Sequence, residues 1–429
     1  MVAACASAPP PAPTTAPSHS AGTSIEPSFG EGLSASPSQQ PAQTTGPRPT
    51  PEPAATAPGT PASSPLPPPS PSLSPSVAPS TPPATAPETI DAELSARLQA
   101  VVDASRERIP APGLSVAIRL PDGETWTGVS GLASLEPVAP VTPDTVFAVA
   151  SISKTFVTAL ILQLADEGLL SLDDPLSDFL PDFPRARRIT LRHLLAHTSG
   201  VYNFFEHPRY VQEVFSDRTR HWRFEEILGF VAAPYCSPGA CFHYSNTNFV
   251  LLGRVAEKVT GAPLHAQIRE RFLDPLGLEH TLFQPDEATP RDAAHGHLAL
   301  SGGFVDHTGP SLVIPHLSAV TVAWAAGAMA STPSDLSRWA HALYGGQLLS
   351  AELTAEMMAY RLDDEYGLGM RTRVFHGRRA VGHLGGIRGF ENAMWYFPDT
   401  EVTIVISANR GIFMIDRTMR LLVRALFGS

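Results

Sequence analysis

The chain has 429 residues, 30 of them basic and 41 acidic, for a net charge of −11 and a pI near 5.7. No cluster of basic residues stands out beyond Arg185-Ala186-Arg187-Arg188, which argues against nucleic-acid binding through a basic patch. No stretch reaches the roughly 18 apolar residues that a membrane-crossing helix needs.

Residues 1–5 end in Val2-Ala3-Ala4-Cys5. That tetrapeptide resembles the end of a bacterial lipoprotein signal, in which the cysteine becomes the lipidated first residue. The charged and apolar parts of such a signal are missing, so the expectation is a true start further upstream. Residues 6–88 are almost wholly Pro, Ala, Ser, Thr, Gly and Gln, with Phe29 as their one aromatic residue. Such a composition buries too little apolar surface to offset the entropy of ordering its backbone. It predicts a disordered, partly polyproline-like tether.

Residues 89–429 form the expected folded domain, with apolar positions dense from Leu94 to Leu426. Asp91 to Asp103 carries Leu94, Leu98, Val101 and Val102 near helical period, which predicts a first helix. Gly113 to Leu120 alternates as a strand, Pro121-Asp122-Gly123 is a hairpin turn, and Thr125 to Ser130 runs back. From Ser151 to Glu167 the pattern is helical, with Phe156, Ala159, Leu160 and Leu164 on one face and Gly168 as the stop. Further helices are predicted at Leu191 to His197, Phe224 to Val231, Thr247 to Val259, Leu264 to Phe272 and Ser334 to Tyr344. Strand patterns return at Arg379 to His383, Glu391 to Phe397 and Glu401 to Ala408, and an amphipathic helix at Phe413 to Leu426 closes the chain. Helices clustered between two strand-rich ends imply an α/β (α+β) fold. Its antiparallel sheet is flanked by the first and last helices, with an all-α subdomain inserted.

Cys236 and Cys241 enclose Ser237-Pro238-Gly239-Ala240, a turn-forming insert that can bring the sulfurs within bonding distance. A disulfide there fits an oxidising compartment, the alternative being two reduced cysteines in a loop.

The chemistry is suggested by scarcity. Of the 30 basic residues 28 are Arg, and only Lys154 and Lys258 are Lys. A guanidinium keeps its proton in a protein, whereas a desolvated lysine can lose it and act as a base. Lys154 follows Ser151 by three residues at a helix start, so the two side chains share a face about one turn apart. Ser151 then stands at the positive end of the helix dipole, where developing negative charge is favoured. Tyr244-Ser245-Asn246 adds a phenol, expected to have its pKa lowered beside a cationic amine and so to shuttle a proton, and an amide able to hold a substrate amide.

Ser151-x-x-Lys154, Tyr244-x-Asn246 and His383-Leu384-Gly385 together resemble the three-part signature of serine β-lactamases and penicillin-binding proteins, in the branch of class C β-lactamases and D-alanyl-D-alanine carboxypeptidases. Leu194 to Gly200, Asp274 to Leu278, Tyr366 to Gly369 and His383 to Phe390 extend the likeness, in the family's order, over about residues 93 to 426. The resemblance implies that Ser151 attacks a carbonyl and that Lys154 and Tyr244 act as base and acid. It also implies that Asn246 holds the substrate amide, that His383 and Gly385 border the site, and that the oxyanion lies between the backbone N–H groups of Ser151 and Gly386. A covalent acyl-enzyme then breaks down with water. No cofactor is expected.

Relatives carry a hydroxyl residue where this chain has Leu384, and it helps bind the carboxylate of penicillin or of a terminal D-alanine. Arg388 is the expected replacement contact; without it, an ester or uncharged amide is the better substrate. His307-Thr308-Gly309 matches the third motif better as a string. It lies too early in the chain, so it is set aside. His193 and His197 have zinc-like spacing, but no Glu follows His193 and the family segment accounts for both, so no metal is expected. The leading expectation is a hydrolase of cell-wall peptides or β-lactams, exported and lipid-anchored at Cys5, with no nucleic-acid partner. An esterase of the same fold and a slowly turning-over penicillin sensor are the alternatives.

Overall fold

The computed structural model describes residues 87–108, 110–309, 313–359, 366–411 and 415–428. The chain divides into two units, Met1–Val77 and Ala78–Ser429, and every described residue lies in the second. The expectations for Cys5 and for all but the last two residues of the tether therefore fall outside the described residues.

The helices used below are α1 (Ala92–Arg108), α2 (Ser153–Asp166), α3 (Asn246–Thr260), α4 (Pro333–Tyr344) and α5 (Ile415–Phe427). The strands of the large sheet are β1 (Gly113–Arg119), β2 (Thr125–Leu135), β3 (Val138–Pro140), β4 (Arg371–Phe375), β5 (Arg378–Ile387), β6 (Phe390–Phe397) and β7 (Val402–Ala408). They lie side by side in the order β3-β2-β1-β7-β6-β5-β4, every pairing antiparallel. The two ends of the domain meet where β1 pairs with β7, from Leu114 opposite Ala408 to Arg119 opposite Thr403.

Side chains alternate between faces along each strand, and here both faces are covered. Ile404, Ile406, Ala393 and Trp395 pack with Leu98 and Val102 of α1 and Met419 and Leu422 of α5. Val405, Met394 and Val381 pack the other way, with Trp339 of α4 and the helical body. That explains why β7, Val-Thr-Ile-Val-Ile-Ser-Ala, is buried at every position and reads as continuous β-branched sequence rather than as clean alternation.

The helix expected from Ser151 instead opens with a 3-10 turn, Ala150–Ile152, and α2 begins at Ser153. The helix expected over Leu264 to Phe272 splits into Leu264–Ile268 and a π turn at Arg269–Leu273. Helices at Tyr210–Ser216, Leu317–Ala323 and Ala351–Met358, strand β4, and a small sheet of Phe147–Ala148, Met329–Ser331 and Leu282–Phe283 had no counterpart in the sequence reading.

Candidate active site

Ser151 occupies the middle of the 3-10 turn. Ala150 before it has φ of +49°, a left-handed conformation that costs a non-glycine residue about 1–3 kcal/mol and must be held by its surroundings. Ser153 Oγ donates to Ala150 O at 2.6 Å, Met329 N–H to Ser153 Oγ at 3.0 Å, and Val149 N–H to Met329 O at 3.0 Å. Strand β5 lies against the same turn. A Cβ on Gly385 would stand 2.1 Å from Val149 O, so only glycine permits this approach. Pairing of β5 with β4 ends at Gly382, which leaves the outer edge of β5 from His383 onward turned to the Ser151 turn.

Lys154 is 0% exposed. Its Nζ lies 3.0 Å from Ser151 Oγ, 2.7 Å from Asn246 Oδ1 and 2.7 Å from Ala326 O. Burial, then the nearby Arg371 charge, hold its pKa well below the usual amine value. Tyr244 shares a hydrogen bond with Ser151, yet its pKa is pushed up to about 12 by burial, which outweighs that bond and the Arg371 charge. The expectation of a lowered phenol pKa is therefore reversed, because desolvation favours the protonated phenol and outweighs the charge nearby.

Asn246, expected to hold a substrate amide, is also engaged within the protein. Its Oδ1 accepts from Lys154, and its Nδ2 and backbone N–H donate to Asn203 Oδ1 at 3.2 and 3.1 Å. Asn203 Nδ2 donates in turn to Glu206 Oε1 at 3.0 Å, so a chain of hydrogen bonds runs from Ser151 to a partly exposed carboxylate. Tyr235 and His243 also bond that carboxylate. Burial opposes the charge on Glu206, and these bonds outweigh it and hold its pKa below the usual range.

On β5, alternation turns His383 and Gly385 toward the helical body, as it does Val381, while Leu384 packs with the α1 and α5 cluster on the opposite face. The residue whose missing hydroxyl raised doubt thus points away from the nucleophile. His383 Nδ1 donates to Leu384 O, so its Nε2 accepts from Tyr366 OH at 3.0 Å. Burial first, then the Arg371 charge, hold the pKa of that imidazole well below its usual value. The cation at this corner is Arg371, whose guanidinium carbon stands 5.4 Å from the Tyr244 ring and 5.3 Å from the Tyr366 ring. Sequence reasoning missed it. The signal was there only as strand register, which sets Arg371 opposite Gly382, one residue before His383. Arg388 is elsewhere, in the two-residue turn after β5, its guanidinium 4.6 Å from the Phe215 ring.

Behind Tyr244 lies His197, 0% exposed, with ring centroids 4.3 Å apart. Its Nδ1 accepts from Ser245 N–H at 3.1 Å. Cys236 and Cys241 are joined as a disulfide. The loop they close is stitched to the His197 segment through Gly239 N–H to Thr198 O and His243 N–H to His197 O. Among the described residues no group of three or more His, Cys, Asp or Glu is arranged to hold a metal ion. A cavity of about 580 Å³ lined by Phe179, Phe224, Leu228, Leu251 and Lys258 backs onto Tyr202 but does not include Ser151.

Residues 98–426 match the Beta-lactamase family. The chain belongs to that family. Penicillin-binding protein 4 of Amycolatopsis lactamdurans is 32% identical over 47% of this chain and 52% of its own length. A teichoic acid D-alanine hydrolase of Staphylococcus aureus is 26% identical, covering 62% of each chain. This family member therefore spans between half and two thirds of those curated relatives. Among solved structures, a D-stereospecific amidohydrolase from Streptomyces sp. superimposes with a TM-score of 0.68 at 30% identity, over 78% of this chain and 99% of that one.

Proposed function

We propose that the protein is a serine hydrolase that cleaves the amide bond at the carbonyl of a D-configured residue through an acyl-enzyme on Ser151. The observation that carries this is the bonding of Lys154. A neutral amine has two N–H groups and one lone pair. Asn246 Oδ1 and Ala326 O take the two hydrogens, which leaves the lone pair for the Ser151 hydroxyl at 3.0 Å. Lys154 then accepts the Ser151 proton as Oγ forms its bond to the carbonyl carbon. The oxyanion is held between the backbone N–H groups of Ser151 and Gly386, the latter on the open stretch of β5. Collapse breaks the C–N bond, and Tyr244, protonated and bonded to Ser151, donates to the departing nitrogen and is reprotonated from Lys154. Water, deprotonated by the same pair, then releases the acid and restores Ser151.

Arg371 is the carboxylate contact on the Tyr244 side of the nucleophile. Asn246 acts by orienting Lys154, and His383 acts as a neutral neighbour of the site. The D-configured substrate class rests on the three relatives, whose names carry penicillin, D-alanine and D-stereospecificity. A second reading is an ester of the same acyl group, on which Ser151, Lys154 and Tyr244 act in the same way with an alcohol as the leaving group. The same proposal sets the enzyme outside the cytoplasmic membrane on a lipid at Cys5, which radiolabelled palmitate incorporation, lost in Cys5→Ala, would test.

The decisive assay runs the full chain and its Ser151→Ala variant on a D-alanyl-D-alanine peptide, its L-alanyl counterpart, nitrocefin and p-nitrophenyl acetate. Turnover of the D-peptide or nitrocefin that vanishes in Ser151→Ala supports the amide reading. Turnover of the ester alone replaces it with the second.

A further inference from the structure

Beyond Gly386, β5 leads within two residues to a cluster that the proposed chemistry leaves unused. Arg388 stacks on Phe215. Arg218 Nη2 donates to His307 Nδ1 at 3.2 Å. The His307 and His316 rings stand 5.5 and 5.3 Å from the same Phe215 ring and 5.6 Å from each other, edge to face. Three basic side chains thus surround one phenyl ring, and Arg218 joins them through His307. The two guanidiniums are close enough that Arg218, after burial, lowers the pKa of Arg388.

The tautomers of both histidines follow from their neighbours. His307 Nδ1 faces a guanidinium, which only donates, and His316 Nδ1 accepts from Ala319 N–H at 3.2 Å. Each ring is neutral, held at a pKa of about 4 by burial and then by Arg218. Each Nε2 must therefore carry the hydrogen. Both rings are nine-tenths or more buried, 4% and 0% exposed, and neither Nε2 has a hydrogen-bond partner among the described residues. A buried donor left without an acceptor costs about 1–3 kcal/mol, and two in one cluster beside two guanidiniums call for an anionic acceptor.

The position of the cluster says which part of a substrate it meets. Along β5 come His383, beside Arg371 and Tyr244, then Gly385, against the Ser151 turn, and then Arg388. In chain order along β5 the two cationic places thus flank Gly385, which meets the Ser151 turn. Arg388 follows Gly386 by two residues, in the turn that ends β5.

We infer that Arg218, Arg388, His307 and His316 form a specificity site for a carboxylate on the acyl side of the substrate. The inference rests on the proposed reading for its choice of acyl group. It names the substrate class as acyl-D-amino acid derivatives whose acyl end is anionic. Because the chain carries a net charge of −11, such a substrate meets repulsion elsewhere, and the cluster supplies the local attraction.

Calorimetric titration of the full-length Ser151→Ala protein with N-succinyl-D-alanine and with N-acetyl-D-alanine tests this without requiring turnover. The expected result is succinyl binding about tenfold tighter than acetyl, a typical worth for one charged hydrogen-bonded contact. The ratio should fall toward one in Arg218→Gln and in Arg388→Gln, and persist in Arg187→Gln, an equal charge change at an exposed site. Equal affinity for the two ligands, no binding of either, or a preference that survives both guanidinium replacements overturns the inference. If discrimination is found but the wild-type chain hydrolyses neither N-acetyl- nor N-succinyl-D-alanyl-D-alanine, the proposed reaction fails and the anion site stands.

Discussion

A charged Lys154 would sit wholly out of water with only two carbonyl oxygens and a hydroxyl to stabilise it, so burial drives it to the neutral amine that proton abstraction needs. Lys154→Arg is expected to lower kcat by about 10³-fold with the fold retained, because a guanidinium cannot accept the proton. Steady-state kinetics beside near-ultraviolet circular dichroism checks both halves, and substantial activity in this variant removes Lys154 from the mechanism. The pH dependence follows with a definite sign. Activity needs the neutral amine, so kcat/KM rises with pH through the lowered Lys154 pKa and then holds until Tyr244 loses its proton near 12. A descending limb at about 10, the ordinary phenol value, would contradict a desolvated Tyr244. Ser151, Lys154, Tyr244 and Asn246 were all legible as residues, because their types and spacing carry the chemistry. Their charge states were not, since protonation depends on burial and on Arg371, which arrives from a strand more than a hundred residues away.

Elements bring these residues into register. Strand β5 reaches the Ser151 turn only because residue 385 has no Cβ, so Gly385→Ala should push strand and turn apart. The expected result is a loss of at least about 10²-fold in kcat/KM from misplacement of the reacting atoms, with a lower Tm; wild-type kinetics in this variant would show that the approach does not matter. Leu384→Thr tests the opposite face. Since Leu384 packs toward α1 and α5, the change should destabilise by about 1 kcal/mol while leaving the rate of acylation by penicillin unaltered. A faster acylation would mean that the side chain reaches the site after all. The long helices and β-branched strands were readable from periodicity. Phe147–Ala148 and Leu282–Phe283, two residues each, were not, because two positions cannot display a period and their pairing with Met329–Ser331 is set by chain folding alone. The 3-10 turn before α2 was invisible for a related reason: the left-handed Ala150 is imposed by packing and opposes the local preference of its own residue.

At the scale of the whole molecule, acid should be the weak side of stability. His197, His307, His316 and His383 are buried, and burial heads the causes that lower each pKa. As pH falls below about 6.5, the unfolded chain binds protons that the folded chain refuses, so stability declines until each folded-state pKa is passed. Each such histidine contributes a slope of about 1.4 kcal/mol per pH unit over its window. Urea denaturation between pH 7 and about 4 should show the decline, and a flat profile would mean that these rings accept protons in place. The distribution of lysine has a consequence for handling the protein. Of the two in the chain, one is sealed inside the reaction centre and the other, Lys258, is exposed on α3 at the rim of a different cavity. An amine-directed dye, biotin ester or coupling resin used at high pH therefore finds a single lysine side chain to react with, far along the helix from Asn246, so that side-chain labelling falls in one defined place.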